Sequence, residues 1–140
     1  VEAKLGDGKL PGIIQDIDRI LRLFDMYDSL GLLTNYKVYG AAVFHSMEEG
    51  NASATTTVAA QTLLTAVNAY LALPSVASGR SWLHTKAGLL QSCAVSQPVT
   101  GYVEDYDDGQ SETIFAKKSF RFAPGLILLG NDPTIRHVSF

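Results

Sequence analysis

Five carboxylates crowd into nine residues of this chain: Glu104, Asp105, Asp107, Asp108 and Glu112. Carboxylate oxygens at that density can hold a cation or attract a basic surface. The spacing departs from an EF-hand loop, which needs alternating oxygen ligands and a glutamate at its twelfth position. A solvated tip kept in water by its charge is the plainest reading, a basic partner surface the second and a metal the third. Downstream stand Lys117, Lys118 and Arg121, with Arg136 further on. Together the two groups make this region dipolar, and copies lying side by side would pair the charges across subunits. The residues expected to contact partners are therefore Asp105, Asp107, Asp108, Lys117, Lys118 and Arg121.

Other chemistry is sparse. His45, His84 and His137 lack a histidine, cysteine or carboxylate at metal-ligand spacing, and no HExxH or CxxC framework occurs. Each is expected to be a surface or satisfied strand residue. Cys93 lies in the apolar run Gln91-Ser92-Cys93-Ala94-Val95, which disfavours a thiolate. Ser46 lacks the glycines of a nucleophile elbow. Gly6-Asp7-Gly8-Lys9 lacks the strand and the spaced first glycine of a P-loop. Asn51-Ala52-Ser53 has the form of a glycosylation sequon and reads equally as a helix cap. No catalytic residue, cofactor or metal is assigned.

The acidic cluster needs an element to carry it, and the flanking pattern supplies one. Tyr102, Val103 and Tyr106 lead into Asp107-Asp108-Gly109-Gln110, with Ile114, Phe115, Phe120 and Phe122 following. Glycine after aspartate provides the positive φ of a tight turn, so Gly101–Phe122 is expected to be a β-hairpin. With Asp108-Gly109 as the two-residue turn, Asp105 faces Glu112, Val103 faces Ile114 and Tyr102 faces Phe115.

Residues 1–12 are rich in glycine and charge and read as a flexible arm. In Ile13–Leu33, Ile13, Ile17, Ile20, Leu21, Phe24 and Tyr27 recur at three- and four-residue steps, with Asp16, Arg19, Arg22 and Asp25 elsewhere on the wheel. That is an amphipathic helix with Pro11 at its start and Gly31 at its end. Tyr36–Met47 reads as a strand, with Tyr36, Val38, Ala42 and Phe44 on one face. Lys37, Tyr39, Val43 and His45 take the other face, and Gly40 marks a bulge or a close approach. Thr55–Leu73 reads as a second helix, capped by Ser53 or Asn51 and ended by Pro74. Trp82–Val95 fits a short helix at Trp82, Leu83, Leu89, Leu90 and Cys93, or a strand at its end running into Val99; a third helix is expected up to about Gln91. Gly125–Leu129 and Thr134–Phe140 are expected to add strands, punctuated by Pro124 and by Asn131-Asp132-Pro133.

The order predicts an α+β domain over residues 13–140. A long N-terminal amphipathic helix and a second helix pack on one face of a mainly antiparallel sheet of four or five strands. A chain of 140 residues can bury a core without staples. A net charge of −3 disfavours broad phosphate binding. One cysteine allows no internal disulfide, and no segment has the apolar length to cross a bilayer. The cytoplasm or a virion is the expected location, not a membrane. The leading expectation is a non-enzymatic structural or assembly subunit, of virion or phage type, that binds copies of itself or neighbouring subunits rather than nucleic acid. The alternative is a pocket enzyme or small-molecule binder, isomerase- or hydratase-like, on a cone-shaped α+β fold.

Overall fold

The computed structural model describes residues 10–49, 58–104 and 111–140, with 48–49, 94–104 and 111–120 described by their backbone. Apolar residues at steps of three and four build α1 (Leu10–Ser29), which buries Ile13, Ile17, Leu21 and Phe24. Leu10 to Gly12 therefore form its first turn rather than the end of an arm, with Pro11 where a missing N–H costs least. Asp16 is also buried, with Oδ1 accepting a hydrogen bond from Arg19 Nη1 at 3.1 Å. The helix ends at Gly31, whose φ of 70° suits glycine, and a single turn, α2 (Leu32–Asn35), follows.

β1 (Tyr39–Glu49) alternates as its pattern requires, burying Ala42, Phe44 and Ser46 while exposing Tyr39, Val43 and Met47. Gly40 is a close approach: a Cβ there would overlap Ile20 of α1. α3 (Val58–Leu71) buries Ala60, Val67 and Leu71, and the caps expected at Asn51 or Ser53 lie outside the described residues. Pro74, expected to close the second helix, opens α4 (Pro74–Ala77) three positions after α3 ends at Leu71.

The segment expected to be a third helix is instead β2 (His84–Leu89), followed by β3 (Cys93–Glu104) and β4 (Ser111–Gly130). Ala87 and Leu89 pack on the core at a period of two, and the backbone groups along β4 find their partners in β2. β4 runs unbroken through Pro124 rather than stopping there. In an antiparallel strand a residue's N–H and C=O point to the same neighbour. The Pro124 carbonyl accepts from Leu90 N, so its missing N–H faces the gap between β2 and β3. In that gap Leu90, Gln91 and Ser92 oppose only Pro124 and Ala123, a bulge that shifts the register by one residue.

The sheet is antiparallel throughout and three strands wide, fewer than the four or five expected. β4 is central, β1 lies on one side, and β2 and β3 occupy successive stretches of the other. α1 and α3 cover a single face, so the domain is α+β with helices packed on an antiparallel sheet. The core joins Ile17, Leu21 and Phe24 of α1, Val67 of α3, Phe44 of β1, and Ile127 and Leu129 of β4. Phe44 lies over Gly125, directly opposite it in the register, where a Cβ would overlap the ring.

Residues 131–140 form no strand. Pro133–His137 is a 3-10 turn capped by Asp132, whose Oδ1 accepts from Thr134 N at 3.0 Å. Asn131 and Asp132 also latch the far end of the chain to the entry of β1. Asn131 Oδ1 accepts from Val38 N at 2.8 Å, and its Nδ2 donates to the carbonyls of Leu33 and Tyr36. Asp132 Oδ2 accepts from Tyr39 OH at 2.6 Å and from Lys37 Nζ at 2.9 Å. Those donors hold the buried Asp132 carboxyl far below the usual carboxylate range, the tyrosine hydrogen bond most strongly.

Candidate functional site

β3 and β4 pair from Cys93↔Phe122 to Glu104↔Ser111, which makes the expected hairpin a two-stranded ribbon. Its register differs by two residues from the expected one: Val103 faces Glu112 and Tyr102 faces Thr113. A shift of two leaves each residue on its own face, so the alternation survives. Asp105, Asp107 and Asp108 lie outside the described residues.

The basic residues are divided by the pairing. Lys117 and Arg121 occupy register positions in phase with Ala123 and Ile127 on the helix-covered side, while Lys118 is in phase with Leu126 on the other. Arg121 is half-buried beside the bulge, where its Nη1 lies 3.4 Å from Ser92 Oγ and its Nε has no partner among the described residues. Among the described residues no three His, Cys, Asp or Glu stand close enough to hold a metal ion. None of their helices is long and apolar enough to cross a membrane.

Buried and half-buried polar groups elsewhere tie the fold together. Arg80 grips both oxygens of Asp25 at 2.7 Å and donates to the carbonyl of Val76, which pins the α3–α4 end to α1. That pairing holds Asp25 below its ordinary value. Tyr70 OH donates to Asp18 across the α1–α3 contact, and burial with that hydrogen bond pushes the phenol up to about 12. A cavity of about 600 Å³ runs along Leu10, Pro11, Gly12, Ile14, Gln15 and Asp18 as an open groove. Its one carboxylate is the acceptor already engaged by Tyr70.

The feature that sequence reasoning missed is the side of the sheet away from the helices. Directly opposed residues share a face, so the outer rungs can be read from the register. They are Tyr39↔Gly130↔His84, Ala41↔Leu128↔Lys86, Val43↔Leu126↔Gly88, His45↔Pro124 and Met47↔Phe122↔Cys93. Val43 is 39% exposed and Met47 61% exposed, and the His45 and Phe122 rings lie tilted at 34° with centroids 5.3 Å apart. Ile135 and Phe140 cover one end: Ile135 lies against Gly130, and the Phe140 ring lies over Gly88. Among the described residues no helix lies on the remainder. A smaller exposed apolar stripe follows α1 at Leu23, Met26 and Leu30.

The signal for this face was present in Gly125-Leu126-Ile127-Leu128-Leu129-Gly130. An antiparallel strand with one wet face alternates apolar with polar, whereas an unbroken apolar run belongs to strands covered on both sides. Compared with family models, with curated proteins and with solved structures, the chain matches none.

Proposed function

We propose that this chain is a non-enzymatic structural or assembly subunit, associating with copies of itself or with neighbouring subunits as the components of virion- or phage-type rings and shells do. One observation carries the reading: a sheet with apolar residues on both faces and, among the described residues, helices on only one. An exposed contiguous apolar face costs solubility in a lone monomer and marks an interaction site. The open sides of β1 and of the β3–β4 ribbon add unpaired strand edges among the described residues. Asp132 and Asp25, the carboxylates most strongly engaged, serve the latch and the helix clamp.

Native mass spectrometry of the protein taken from its source tests this. The expected result is a homo-oligomer or a complex of fixed stoichiometry. A strict monomer at high concentration, with no partner recovered, would overturn it.

A further inference from the structure

We infer that Val138–Phe140 is a displaceable strap over the β2 end of the outer face, an autoinhibitory contact that a docking partner has to lift; this rests on the association reading above and adds its regulation. Two glycines form the seat. In the register Gly130 faces His84 and Gly88 faces Leu126, both on the outer rungs. Glycine inside a strand forgoes packing of its own and leaves room for a side chain from elsewhere. Ile135 fills that room at Gly130, where an added Cβ would stand 2.8 Å from its Cδ1, and the Phe140 ring fills it at Gly88. Lys86 lies between the two glycines' rungs, with its ammonium 6.0 Å from the Phe140 centroid, the outer limit of a cation–π contact.

The two ends of the segment after β4 are held differently. Asn131 and Asp132 are tied down by the latch, and Ile135 is 4% exposed. Val138, Ser139 and Phe140 are all exposed, and Val138 N donates to Ile135 O within its own turn. Among the described residues no hydrogen bond joins 138–140 to the sheet, which leaves the ring over Gly88 as the fastening. Closing the strap buries only part of a phenyl side chain and fixes the backbone beyond the 3-10 turn. Those effects oppose each other, so the strap exchanges between closed and open states about a pivot at the end of the turn, with the latch undisturbed. Gly88 shares its rung with Leu126 and Val43, on the side on which the proposed association rests. A partner laid along that rung meets the Phe140 ring where β2 would be. Its apparent affinity is then scaled down by the fraction of molecules whose strap is open.

Proton magnetic resonance and sedimentation equilibrium of the full chain test this together. A ring lying on Gly88 moves its α-protons upfield, so their position reads the closed fraction. They should lie upfield of their position in Phe140→Ala and drift towards it on warming. Phe140→Ala, which removes the ring, and Gly88→Ala, which fills its seat, should each strengthen self-association about twofold to tenfold. Gly88 signals that match those of Phe140→Ala, or that hold one position at every temperature, would overturn the displaceable strap. Variants that associate no more tightly than the wild type would overturn its inhibitory role. Both results leave the association reading standing. If the wild type stays monomeric at high concentration, association of Phe140→Ala upholds the strap, whereas monomers in both overturn it along with that reading. Should Gly88→Ala fail to fold by circular dichroism, Phe140→Ala decides.

Discussion

Val43 and Phe44 are neighbours in one strand, yet they sit in different environments. Phe44 is 2% exposed beneath two helices, whereas Val43 is 39% exposed on the opposite face. The same contrast runs along β4, where Ile127 and Leu129 are fully buried and Leu126 and Leu128 are only partly so. Side-chain chemistry does not distinguish the two faces; coverage does. The inner face stabilises the fold, and the outer face is the one on which the proposed association rests.

Truncating each side should separate these roles. Phe44→Ala removes a ring enclosed by helices and sheet and is expected to cost about 3–5 kcal/mol, read as a lower urea midpoint. Val43→Ala, one residue away, should cost less than about 1 kcal/mol in the monomer and act mainly on the oligomeric state. Equal losses of stability would end the distinction between the faces.

Two glycines sharpen the same comparison, because each lies under an aromatic ring. Gly125→Ala pushes on Phe44, which has no room to move, and is expected to cost about 1–3 kcal/mol. Gly88→Ala pushes on Phe140, which is 39% exposed and free to swing outward, so its thermal midpoint should move less. A larger loss at Gly88 would mean that the Phe140 segment is as tightly packed as the core.

The latch and the Tyr70–Asp18 hydrogen bond respond to pH in opposite directions. Asp132 is depressed in the fold, first by Tyr39 OH and then by Lys37, so its stabilisation is complete above the ordinary aspartate range. It is lost as pH falls below about 4, and thermal melts of Asp132→Asn should show a lower midpoint at neutral pH with a flatter acid limb. Tyr70 is raised to about 12, so its contribution is complete below about pH 10 and declines between about 10 and 12. This should be the smallest effect. An ultraviolet titration of the phenols should show one late-ionising tyrosine fewer in Tyr70→Phe than in wild type, and an unchanged curve would place Tyr70 in water.

Local periodicity made α1 legible, since Ile13, Ile17, Leu21 and Phe24 mark one stripe without reference to any other segment. It also made the hairpin legible as paired strands, though their register lies two residues from the expected one. β2 was misread because Trp82, Leu83, Leu89 and Leu90 fit a helical wheel, while the demand of β4 for hydrogen-bond partners lies some forty residues further on. The Asn131–Asp132 latch was invisible for a related reason. Its partners at residues 33–39 are more than ninety residues distant, and Asn-Asp-Pro by itself signals only a turn.

The amino-acid order by itself determined the element types wherever a pattern repeats over a few residues, and with them an α+β class. It also determined that Leu126 to Leu129 would be apolar at both parities of a strand. Only the tertiary structure decided which parity the helices would cover and which would be left open, because that choice depends on where α1 and α3 land after crossing tens of residues of chain. Alternation records that a strand has two sides, and contacts distant in sequence decide what lies against each.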